Sequence, residues 1–130
     1  QELCKVTYYH DESDGLTPEH PHFGLTFTGV RTYNGVVAID PVYFSKKLGL
    51  PFDRKWSQEK QALAPIFWKT IFIDVDNNKV FVPRDVGGKV KGPHVDCWVP
   101  KDYYLTHRKI FGTQYKKFLV VYFGEPSNGK

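Results

Sequence analysis

Three aspartates in this 130-residue chain stand where a carboxylate does more than meet solvent. Asp40 ends the apolar run Val36 to Asp40 (VVAID) and precedes Pro41. Asp85 lies in Arg84-Asp85-Val86-Gly87-Gly88, and Asp96 follows eleven residues later in Gly92-Pro93-His94-Val95-Asp96. A carboxylate at a strand end, beside Gly or Pro, must be satisfied, and its usual partners are backbone N–H groups of the turn. That reading suits Asp40 and Asp85 as braces. Asp96 has different neighbours: His94, Trp98 and the loop bearing Lys89 and Lys91. A carboxyl group against an aromatic wall has its pKa raised and can hand a proton to a glycosidic oxygen.

Other chemistries find less support. His20 and His22, with His10 and Asp11, offer ordinary zinc donors. Three histidines in one Pro-containing loop are more often simply exposed, so no metal is assigned. Trp56, Trp68, Trp98 and the tyrosines could stack on sugars, but burial is the default for such rings. There is no phosphate-binding Gly-rich loop and no convincing Ser-His-Asp or Cys-His pattern, so no cofactor is expected. The net charge of +4 suits an anionic partner such as a wall glycan. The lysines are scattered in pairs (Lys46 and Lys47, Lys89 and Lys91, Lys116 and Lys117) and no nucleic-acid motif accompanies them. No nucleic-acid partner is expected.

The elements that must position these groups read as β-structure. The chain is 41% hydrophobic and 16% aromatic, enough for one core and one domain over 1–130. Strands are expected at Leu3 to Tyr9, Val36 to Asp40, Lys69 to Val75, Lys79 to Val82, His94 to Val99 and Lys117 to Phe123, with a short one at Leu25 to Val30. Asp76-Asn77-Asn78 joins two of them as a hairpin turn. A helical turn fits Tyr43 to Leu48, and a short helix fits Lys101 to Phe111, stopped by Gly112. Residues of about 45–66 read as a surface insertion with a short helix near Gln58 to Ala64, and Gly124 to Lys130 as a loose tail. Many short strands with turns between them indicate a sandwich or barrel. No apolar run is long enough to cross a bilayer, so no membrane partner is expected.

The chain begins at Gln1 and contains no Met, which suits a processed, secreted, monomeric protein. In that setting Cys4 and Cys97 are expected to form a disulfide, closing a loop of about ninety residues for roughly 4–5 kcal/mol in the chain-entropy account.

The segments Gly35 to Pro41 (GVVAIDP), Arg84 to Trp98 (RDVGGKVKGPHVDCW) and Lys116 to Phe123 (KKFLVVYF) resemble the three-aspartate domain of the membrane-bound lytic transglycosylase A family. The spacing of Asp-Val-Gly-Gly, Lys-Gly, His and Asp carries the likeness, which covers roughly half the chain. The opening strand, with Tyr8-Tyr9, is also similar to barwin-like proteins, expansins and related endoglucanases. The resemblance implies an all-β, six-stranded double-psi β-barrel with short helices, acting on peptidoglycan. It places the catalytic acid on Asp96, assisted by Asp85 and Asp40, with His94, Lys91 and Tyr8 in support. No counterpart of the companion domain that completes the groove in those transglycosylases is expected within these residues, which favours a muramidase cutting between N-acetylmuramic acid and N-acetylglucosamine. A lytic transglycosylase giving anhydromuramyl ends, and a non-catalytic expansin-like or inhibitor-like module, are the alternatives. A hydrolase needs a second carboxylate to activate water or attack the sugar. Asp11, Glu12, Asp14 and Asp85 remain open for that role.

Overall fold

In the computed structural model, which describes residues 1–13 and 15–124, six strands close into a barrel. They are β1 (Glu2–Tyr9), β2 (Val36–Ile39), β3 (Thr70–Asp74), β4 (Lys79–Asp85), β5 (His94–Trp98) and β6 (Gln114–Tyr122). The order around the barrel is β1-β5-β2-β4-β3-β6. Pairs β1–β5 and β2–β4 are parallel, and the remaining pairs are antiparallel. Exchanging β1 with β4, β2 with β5 and β3 with β6 leaves both order and polarity unchanged. The barrel is thus two interlocked copies of one strand–strand–helix–strand unit, the double-psi arrangement expected from the resemblance.

Alternation puts the core inside. Cys4 and Val6 of β1, Phe72 of β3, Phe81 of β4, Val95 and Cys97 of β5 and Phe118 of β6 form one buried cluster. All four residues of β2 are buried: Val37 and Ile39 face the core, and Val36 and Ala38 lie on the opposite face under loops. The β3–β4 hairpin turns where expected. Asp74 Oδ1 accepts the Asp76 N–H, and Asn78 takes the left-handed conformation at φ 60° that asparagine tolerates.

Four helices follow: α1 (Pro41–Leu48), α2 (Gln58–Ala62), α3 (Pro65–Trp68) and α4 (Lys101–Thr106), the last continued by a 3-10 turn over Arg108–Phe111. The insertion is not confined to the surface. Ala64, Ile66 and Phe67 are buried, and Phe52 and Trp56 pack against the same core. Its second half plugs one side of the barrel because its apolar residues need a place out of water. Leu25 to Val30 is not a strand: only a bridge between Leu25 and Arg31 forms, around a turn closed by Thr26 N–H donating to the Val30 carbonyl at 2.8 Å. The C-terminal tail beyond Gly124 lies outside the described residues.

The cysteines are free thiols, both buried, which corrects the expected Cys4–Cys97 disulfide. The parallel register pairs Cys97 with Tyr8, four residues along β1 from Cys4. That separation is roughly 13 Å along the strand, about twice the reach of a disulfide's Cα atoms. Burial raises both thiols to about 12, so they act as small apolar side chains.

Candidate active site

Strand register assembles the site. Thr7 of β1 pairs with Asp96 of β5, Asp96 pairs with Ala38 of β2, and Ala38 pairs with Asp85 of β4. Directly paired residues share a face of the sheet, so Thr7, Asp96, Ala38 and Asp85 form a row across four strands. The two carboxylates are two strand spacings apart, roughly 10 Å between Cα atoms, with Ala38 on the strand between them. Asp96, Ala38 and Asp85 of this row floor a groove of about 570 Å³, with Thr7 behind Asp96. The long β1–β2 loop forms one wall through His10, Asp11, His22 and Thr32, and the Gly87–Val90 turn forms the other. A Cβ on Gly87 would lie 2.8 Å from Val90 Cγ2, so the turn closes this tightly only with glycine there.

Each aspartate has its own environment. Asp40 caps α1: Oδ1 accepts the N–H groups of Val42 at 3.1 Å and Tyr43 at 3.3 Å, and Oδ2 accepts that of Gly92 at 2.9 Å. It ties α1 to the β4–β5 loop and does not line the Asp96 groove. Asp85 is also a brace. Oδ1 accepts the N–H groups of Phe27 at 2.8 Å and Val86 at 3.0 Å, and Oδ2 the Tyr9 hydroxyl at 2.8 Å. Its carboxylate faces the groove, and these bonds fix the loops beside it.

Asp96 is partly buried and shares one hydroxyl with a histidine: Thr7 Oγ1 lies 2.8 Å from Asp96 Oδ1 and 2.7 Å from His94 Nε2. Burial, helped by the nearby Asp85 charge and opposed by the Thr7 hydrogen bond, raises the Asp96 carboxyl from 3.8 to about 6. His94 is buried, and desolvation together with Lys5 lowers its pKa, while the Lys89 backbone hydrogen-bonds the ring and opposes that shift.

The structure also distinguishes the loop carboxylates. Asp11 Oδ1 accepts the Trp98 indole N–H and the Thr32 hydroxyl, both at 2.8 Å. Glu12 is engaged by Lys101 at 2.7 Å, and Asp14 lies outside the described residues. Tyr9 marks the centre of the group: burial raises its pKa, and Asp85, Asp96 and Asp11 all raise it further. Asp11, Asp85 and Asp96 thus surround one phenol.

Two expected supporting residues lie elsewhere. Alternation turns Tyr8 to the barrel's other face, into a separate pocket beside Cys97, Phe111 and Lys116. Tyr9 takes the place expected of it. Lys91 is exposed and borders a depression with Asp40, while Lys89 reaches the Asp96 groove. Thr7 escaped sequence reasoning because nothing in LCKVTYY separates an outward threonine from an ordinary strand residue. The rings of His20 and His22 are 5.4 Å apart, whereas His10 packs on Tyr104. Among the described residues no three potential ligands converge on a metal position.

A protonatable carboxyl, an oriented second carboxylate and an open groove form the set that general-acid cleavage of an acetal requires. No protein-family profile and no curated protein matches this sequence.

Proposed function

We propose that the chain is a secreted muramidase that cleaves the β-1,4 bond between N-acetylmuramic acid and N-acetylglucosamine in peptidoglycan, with Asp96 as general acid. One observation carries the chemistry: burial raises the Asp96 carboxyl to about 6 on a groove it shares with the fixed carboxylate of Asp11. The resemblance to the lytic transglycosylase A domain carries the substrate, and the positive net charge suits a wall rich in carboxylates and phosphates.

Asp96 donates its proton to the glycosidic oxygen as the bond breaks and the sugar becomes oxocarbenium-like. Asp11 supports hydrolysis over anhydro-ring formation. Its Oδ1 is held by Trp98 and Thr32, which orients Oδ2 to take a proton from water. Asp85 holds the groove loops and leaves the proton chemistry to the other two.

The test is incubation with purified peptidoglycan. Soluble muropeptides with reducing muramic ends are expected. Anhydromuramyl ends would replace hydrolysis by transglycosylation, and binding without release at any pH would make the barrel a binding module. Asp96→Asn should lower the rate by about 10² or more, the usual scale for a general acid.

A further inference from the structure

Behind Asp96, one hydroxyl hydrogen is claimed by two acceptors. Thr7 Oγ1 lies 2.8 Å from Asp96 Oδ1 and 2.7 Å from His94 Nε2. A threonine hydroxyl donates once, so it cannot satisfy an ionised carboxylate and an unprotonated Nε2 together. With Nε2 facing Thr7, Nδ1 is the ring nitrogen left to face the Lys89 backbone, which raises the His94 pKa against the effect of burial.

The donors and acceptors close in only a few ways. When Asp96 carries its proton on Oδ1, that proton goes to Thr7, Thr7 donates to Nε2, and Nδ1–H donates to the Lys89 carbonyl. Every group along this path is then paired and neutral, as burial demands. When Oδ1 carries no proton, the direction reverses: Nε2–H donates to Thr7 and Thr7 donates to Oδ1. Any proton on Asp96 then sits on Oδ2, for which no partner is seen among the described residues.

We propose that Thr7 and His94 form a reversible hydrogen-bond switch behind Asp96, in which the direction of the Thr7 hydroxyl sets whether the acid's proton is held on Oδ1 or presented on Oδ2. In the empty groove the proton rests on Oδ1. A bound acetal oxygen accepts from Oδ2–H, and the hydroxyl turns as the Oδ1 proton passes to Thr7 and the Thr7 proton to Nε2. Exchange with water takes the Nδ1 proton and supplies the one on Oδ2, so that His94 changes tautomer. After transfer the carboxylate remains with Oδ1 accepting from Thr7, and the buried imidazole is neutral both before and after the switch. Thr7 and His94 are positioning residues. Their catalytic use rests on the glycosidase reading; the switch itself does not.

Other titratable groups surround these three residues: Asp85 on β4, Tyr9 and Lys5 on β1, Asp11 in the β1–β2 loop and Lys89 in the β4–β5 loop. None of them links the Asp96 proton to the His94 tautomer, because among the described residues only Thr7 hydrogen-bonds both side chains.

The test is a titration of isotope-labelled full-length protein by NMR, following the Asp96 carboxyl carbon and both His94 ring nitrogens. As pH falls and Asp96 takes up its proton, Nε2 should lose its hydrogen while Nδ1 gains one, with a shared midpoint. An independent histidine never loses a ring proton on acidification. In Thr7→Val the exchange should vanish and the Asp96 midpoint should rise; Thr7→Ser should retain the exchange. An Nε2 that keeps one state while Asp96 titrates overturns the switch, as does exchange that persists in Thr7→Val. The wild-type titration decides even if Thr7→Val fails to fold. With peptidoglycan, Thr7→Val should lower kcat about tenfold with KM unchanged and move the alkaline limb upward. If the titrations couple but no glycan is cleaved, the glycosidase reading fails and the switch stands.

Discussion

Replacing Asp96 by asparagine should make the protein more stable at alkaline pH. The Asp96 carboxyl is raised from 3.8 to about 6, chiefly by burial, so the folded state binds its proton more tightly than the unfolded chain. The stability linked to this group is fully present below about pH 4 and is lost as pH rises through about 6. A rise of that size corresponds to about 3 kcal/mol. Asparagine keeps the shape and accepts the Thr7 hydroxyl through its carbonyl, but it has no proton to lose. Burying the amide costs about 1 kcal/mol at either pH, leaving asparagine roughly 2 kcal/mol more stable at pH 8 and roughly 1 kcal/mol less stable at pH 4. For a domain of this size that is a rise in Tm of several degrees. Urea denaturation of both proteins at pH 4 and pH 8 measures it. The reasoning fails if Asp96→Asn is destabilised at pH 8, or if the two proteins differ equally at both pH values. Paired with lost activity, the gain would show a carboxyl held against folding stability for its chemistry.

Asp11→Asn should lower the hydrolytic rate by about 10², with stability changed by less than Asp85→Asn, because Asp85 braces three donors; muropeptide release and thermal melts check both. Gly87→Ala should destabilise by about 1–3 kcal/mol through overpacking on Val90, and Val90→Ala in the same chain should recover much of it in urea titrations. Native protein should show two thiols that alkylate only on unfolding, read by intact mass without reductant; a mass two hydrogens lower would restore the disulfide. Asp40→Ala should cost about 1–2 kcal/mol as the lost α1 cap, with Asp96 titrating as before.

The local signals were sufficient for the six barrel strands, but not for Leu25 to Val30, which is a turn, or for α3, which they did not mark. Alternating β-formers between Gly, Pro and Asn turns placed all six strands to within a few residues, and Asp40-Pro41 with Gly49 marks the two ends of α1. Asp96 stood out because its neighbours, His94 and Trp98, are as close in sequence as they are along β5. Whatever depends on pairing between strands had to await the fold. Parallel register sets Cys97 beside Tyr8 and Thr7 beside Asp96, and a one-residue slip would reverse every such choice. The same parity turns Tyr9, not Tyr8, toward Asp96. Asp11 became distinct from Glu12 only when Trp98 and Thr32 converged on it from 87 and 21 residues away. Residue type and local spacing determine which groups can do chemistry and which segments form strands. Which of those groups meet is decided by long-range hydrogen-bond register, and register is a property of two segments that neither one encodes alone.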